Sequence, residues 1–172
     1  MTDTSLRDHA SGPQRALESL ASLVIHVAVV ALLGLVVVQG WQVFSRYVIN
    51  DSPSWTEPVT VLLLSTAMSL GAAAGVHTNR HFGFFLLAEH FVPAARRVVD
   101  AVVQLVVAAI GAVIAWWGWL LWVDGLHIKT AGAQLPQSVN YLPLSIGGAL
   151  MVVFALNRAW LALQPAAVEG ER

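Results

Sequence analysis

The chain has no cysteine, and only 11% of its 172 residues are charged. The first absence excludes disulfide staples and thiolate metal sites. The second excludes an ordinary soluble domain, in which about 25% of residues carry charge. With 57% of the residues hydrophobic, there are too few polar groups to cover a water-exposed surface, so most apolar side chains must face lipid or one another. The basic residues, nine in all, are scattered and interleave with no aromatic platform, which argues against nucleic-acid binding. Also missing is an acid in the middle of any apolar run. An ion-coupled carrier or a membrane enzyme needs ionisable groups or broken helices near the bilayer midplane, and a haem-bearing subunit needs facing histidines. No catalytic, cofactor-binding or metal-binding residue is expected.

What is present is four long apolar runs, which predict an all-α integral membrane protein with four spans at about 20–44, 57–76, 99–123 and 141–163. Together they make a membrane domain over 20–163, between an N-terminal segment, 1–19, and a tail, 164–172. The first run is charge-free for 25 residues, about 37 Å at a rise of ~1.5 Å, enough to cross a core of ~30 Å with tilt. It exceeds a signal-peptide core of about 7 to 15 residues and reads as a retained anchor. Before it, Pro13 is placed to open a helix after Ser11 or Gly12, and Arg15 and Glu18 share a partly amphipathic turn suited to the headgroup region. The polar residues within the run are His26 and Gln39. His26 reads as a neutral imidazole bonded to a neighbouring helix or reaching the interface; a ligand or proton-relay role needs a second histidine or a carboxylate at similar depth.

Two starts compete for the second span. Ser54 and Glu57 have capping-box spacing, whereas Thr56 as N-cap puts Pro58 in the first turn. Gly71 and Gly75 form a small-xxx-small pair, for packing inside the bundle or for docking on a partner subunit. In the stretch HTNRHFGFFLLAEHFVPAARR that follows, Phe82, Phe85, Leu86 and Phe91 share one face of a short helix lying in the interface. His77, His81 and His90 are spaced by four and nine, with no second cluster to complete a metal site. The third span has a smooth face at Ala108, Gly111, Ala112 and Ala115, and Trp116, Trp117, Trp119 and Trp122 mark a membrane boundary at its far end. In the fourth, Pro143 sits in or kinks the first turn, Gly147 and Gly148 allow close helix contact, and Arg158 is expected to snorkel to the surface beside Trp160.

Four spans put both termini on one side. That side holds Arg7, Arg15, Arg80, Arg96, Arg97, Arg158 and Arg172, and the other only Arg46 and Lys129. The positive-inside rule therefore places both termini in the cytoplasm. Arg46 and Glu57 then lie at the outer ends of two apolar helices, where an ion pair costs less desolvation than at midplane. They read as a brace between the first two spans or as contacts to a partner.

The stretch 43–81 carries a specific pattern: Phe44, Arg46, Tyr47 and Asn50 as F-x-R-Y-x-x-N, Trp55 and Glu57 as W-x-E, then Gly71, Ala72 and Ala73, and His81 closing the segment. The start of the last span, with Leu135, Pro136, Tyr141, Leu142, Pro143 and Leu144, adds to it. This resembles the small membrane subunit of TRAP transporters, the DctQ-type permease component. Two positions depart from the family: Phe85, where relatives carry an acidic residue after the histidine, and Pro58, where they often carry a second acid after W-x-E. The resemblance implies a scaffold subunit without a transport site. In that family a large DctM-type membrane subunit moves an organic acid with sodium, and a DctP-type periplasmic protein delivers it. It implies the bacterial or archaeal inner membrane, with lipids as further neighbours. Two other classes remain: a stand-alone exporter or channel, which should show an acid within a span, and an electron-transfer subunit, which should show histidine pairs and a visible absorption band.

Overall fold

The computed structural model describes residues 12–51, 53–78, 93–132 and 136–163. Among these the chain forms four long helices and no strand: α1 Gly12–Phe44, α2 Thr56–His77, α3 Pro93–Asp124 and α4 Leu142–Leu163. Each is long and apolar enough to cross a membrane. The short interfacial helix expected after α2 lies outside the described residues.

The helix ends follow from local chemistry. At the end of α1 the coil widens into a π turn, Ser45–Ile49, and Asn50 stops it in the left-handed region at φ 62°. Asparagine tolerates that conformation better than other non-glycine residues. The backbone N–H groups of Asn50 and Asp51 both donate to the Ser45 carbonyl, the latter at 3.1 Å, so the last turn is closed by its own chain.

The N-cap of α2 is Trp55, with no side-chain cap bond, so Thr56 is not the cap either: it is the first helical residue, its hydroxyl donates backwards to the Pro53 carbonyl at 2.8 Å, and Pro58 falls in the first turn, where its missing N–H costs least. The Ser54–Glu57 capping box does not form, because the Ser54 hydroxyl donates instead to the Gly132 carbonyl at 3.1 Å. That bond ties the α1–α2 loop to the α3–α4 loop. Gly132 is needed there: its φ is +82°, and a Cβ would overlap the Ser54 carbonyl.

Chain order is not lateral order. α1 packs on α2, α2 on α4, and α4 on α3, so the helices stand as α1–α2–α4–α3 with α1 and α3 on the outside. α4 is therefore squeezed from two sides, and its glycines show how closely. A Cβ on Gly147 would come 2.6 Å from the Ser69 Cβ of α2, and one on Gly148 would come 2.6 Å from the Ala115 nitrogen of α3. On α3 the positions Ala108, Gly111, Ala115 and Gly118 follow one another by steps of three and four, a stripe of small residues on the side that meets α4. The close approach allowed by Gly111, Gly147 and Gly148 is thus realised between α4 and its two neighbours.

Hydroxyls stitch the same seams. The Ser69 hydroxyl has two carbonyls within reach of its single proton, that of Ser65 in its own helix at 2.6 Å and that of Pro143 in α4 at 2.9 Å. Ser145 donates to the Ala115 carbonyl of α3 at 3.2 Å. At the opposite end of the bundle a core of Ala21, Ala73, Val76, Ala108, Phe154 and Ala155 joins all four helices. Away from these seams most large apolar side chains of α1 and α3 are exposed, as lipid-facing surfaces must be.

Candidate functional site

The conspicuous features are three: a polar and aromatic end, a helix-terminus clamp at the other end, and a groove between.

The first end gathers the loop between α1 and α2 with the loop between α3 and α4. Tyr47 is 80% exposed, and Trp41, Trp55, Trp116, Trp117 and Trp119 also stand open around it, a collar suited to a membrane–water boundary. Arg46 and Glu57 are both exposed. The brace expected between them is not formed: no ion pair joins them among the described residues, since each side chain is free to keep its own solvation at this wet end. Asn50 acts through its backbone as the stop of the π turn. Gln137 donates to the Tyr141 hydroxyl at 3.1 Å and its N–H to the Ile128 carbonyl at 2.8 Å, which holds the second loop compact.

At the other end, Arg158 does not snorkel to the surface. Its guanidinium, half-buried, donates from Nε to the His77 carbonyl at 2.9 Å and from a terminal nitrogen to the same oxygen. The His77 carbonyl belongs to the last turn of α2, where carbonyls lack intrahelical donors and carry the negative end of the helix dipole. The cation therefore caps α2 from α4. The His77 ring lies 5.1 Å from the Phe154 ring, tilted by 57°, and extends the contact. A basic residue four positions past a buried aromatic on the last span was the only sequence signal for this clamp, and it reads equally well as a surface anchor. His81 lies outside the described residues, as do His90 and Phe85.

The groove runs between α1 and α2. It encloses about 360 Å³ and is lined by Ile25, Ala28, Val29, Leu32, Leu64, Ala67, Met68, Gly71 and Ala74. Gly71 opens into it, with nothing within 4 Å of where a Cβ would stand, so at this residue the small-residue face does not pack inside the bundle. The inward face is one step round the helix, at Ala73 and Val76, while Ala74 is buried against α1 at the base of the groove; Gly75 is half-buried. His26, on α1 next to the groove, is exposed, and its Nδ1 lies 2.6 Å from the Ser22 carbonyl of its own helix rather than reaching a neighbouring one. No group of three or more His, Cys, Asp or Glu side chains that could hold a metal occurs among the described residues.

Among the described residues the Asp, Glu, Arg and Lys side chains lie toward helix ends. What the arrangement offers is surfaces: a wet aromatic end and an apolar recess open to the membrane. Residues 35–164 match the family described as "Tripartite ATP-independent periplasmic transporters, DctQ component". No curated protein matches the chain.

Proposed function

The chain belongs to the DctQ component family of tripartite ATP-independent periplasmic transporters, and from that premise we propose that this multi-pass membrane protein is the stationary scaffold of a sodium-driven organic-acid importer. A large DctM-type membrane subunit carries the substrate and the sodium ions, and a DctP-type periplasmic protein delivers the acid. The small subunit packs on the part of the large one that stays still. It sits in the bacterial or archaeal inner membrane with both termini cytoplasmic, and 20–163 is its membrane domain.

The observation that supports this most is the family match, which covers the end of α1 and the whole of α2, α3 and α4. The physics agrees with a supporting role. The Asp, Glu, Arg and Lys residues of the helices lie toward helix ends, leaving the midplane without a charge to carry a proton or hold an ion. Aromatic residues ring one end and resist displacement along the membrane normal. Arg46, Tyr47, Trp55 and Glu57, exposed together at that end, form part of the surface on which the periplasmic protein docks.

Purification of the tagged chain from its native host in mild detergent tests the assignment. A large polytopic permease should accompany it, and deleting the chain should abolish sodium-dependent uptake of the acid. Uptake that persists after deletion contradicts the proposal.

A further inference from the structure

The core cluster that joins all four helices marks one level across the bundle, with Ala21 on α1, Val76 on α2, Ala108 on α3 and Phe154 on α4. From that rung the distance to the nearest charge can be counted along each helix. Toward the end that bears the termini it is three residues on α1, to Glu18, four on α4, to Arg158, and eight on α3, to Asp100. Toward the opposite end it is 25 residues on α1, to Arg46, 19 on α2, to Glu57, and 16 on α3, to Asp124. Glu18, Arg46, Glu57, Asp100 and Asp124 are all exposed, so they stand where water begins.

The apolar band thus steps the same way at both ends, and the steps follow the lateral order α1–α2–α4–α3. Helix length alone does not explain this, since α3 gains at one end what it loses at the other. At ~1.5 Å per residue the band of α3 is displaced against that of α1 by about 7 Å at the end bearing the termini and about 13 Å at the opposite end.

The tryptophans point the same way. Trp117 is 60% exposed and lies nine residues from the rung, toward the end without the termini. With the helix axes along the membrane normal, its ring would sit near the bilayer centre, far from the headgroups that its N–H needs. Counted on α3 itself it is seven residues from Asp124, about 10 Å inside that boundary.

We infer that the bundle crosses the bilayer obliquely: its four helices lean together by about 20° in the plane of their row, and the lipid belt runs round them on a slant. The angle follows from a mean displacement of about 10 Å over three interhelical steps of ~9 Å each, and it equals the average tilt of membrane helices. The charge-free stretch 101–123 of α3, about 34 Å long, then projects ~32 Å onto the normal, close to a core of ~30 Å. This requires a membrane bundle and is independent of its partners.

Spin-label depth measurements test it, and because the chain has no cysteine, single-cysteine variants need no prior substitution. Nitroxides are attached at Leu23→Cys and Ile110→Cys, each two residues beyond the rung, and at Val30→Cys and Trp117→Cys, each nine beyond it. All four side chains are exposed. Depth is read from the ratio of oxygen to nickel-chelate collision rates, with the full chain in phospholipid vesicles. Ile110 should lie about 10 Å deeper than Leu23, and Val30 about 4 Å deeper than Trp117. Equal depths within either pair, or the reverse order, overturn the inference. Gel filtration checks each labelled variant for folding, and Val27→Cys with Val113→Cys, the latter the deeper, replaces a pair that misfolds.

Discussion

One methyl group at Gly148 should separate two helices. In Gly148→Ala the new carbon would lie 2.6 Å from the Ala115 nitrogen, 2.8 Å from the Gly111 carbonyl oxygen and 3.0 Å from the Ala115 Cα. All three are backbone atoms of α3 and cannot rotate away, so α3 itself must move off α4. Overpacking of this kind costs about 1–3 kcal/mol, and three backbone contacts place it near the upper value. Better helix propensity returns about 1 kcal/mol. The net loss is about 2 kcal/mol, a factor of roughly 30 in the unfolding equilibrium. Gly71→Ala is the matched control. Its Cβ meets nothing within 4 Å, so only the gain of about 1 kcal/mol applies. Reversible unfolding in mixed micelles, followed by the fluorescence of the tryptophans on α3, measures both. The two variants should move in opposite directions; equal midpoints would refute the packing order described here.

Three further outcomes follow from the helix ends. Arg158→Ala removes both guanidinium bonds to the His77 carbonyl and should lower stability by about 2 kcal/mol, since bonds to charged groups contribute roughly 1.5–3 kcal/mol; Arg158→Lys should keep part of it, and a wild-type midpoint for the alanine variant would exclude the clamp. Asn50→Ala puts a residue that tolerates the left-handed region less well than asparagine at φ 62° and should cost about 1 kcal/mol, whereas Asn50→Gly should cost less, an order that amide exchange across the π turn can check. Gly132→Ala adds strain at φ +82° and pushes on Ser54, so limited proteolysis should cut the α3–α4 loop faster than in the wild type; unchanged cutting would mean that the two loops are not tied.

The four spans were legible because a charge-free run of twenty or more residues is a local property that needs no knowledge of neighbours. The family could also be recognised, since Arg46, Tyr47, Asn50, Trp55 and Glu57 lie within one short stretch. Lateral order was not legible. In a bilayer the lipid-facing and helix-facing sides are both apolar, so amphipathicity does not say which side of α1 meets α2. Small residues narrowed the choice unevenly: Gly147 and Gly148 pack as their type suggests, while Gly71, of the same type, opens into a groove. Polar residues misled wherever two partners were equally reasonable. Ser54 serves the other loop rather than its own helix, Arg158 takes a backbone carbonyl rather than the surface, and Arg46 and Glu57 do not pair. Each choice depends on what the fold brings near, and that is set by long-range packing.

The central claim is that this protein steadies a transporter and conducts nothing by itself. Solute uptake into liposomes under a sodium gradient measures that most directly. Vesicles holding this chain alone should match empty vesicles, and those holding it with its large membrane partner and the periplasmic protein should accumulate the acid; accumulation with this chain alone would contradict the account.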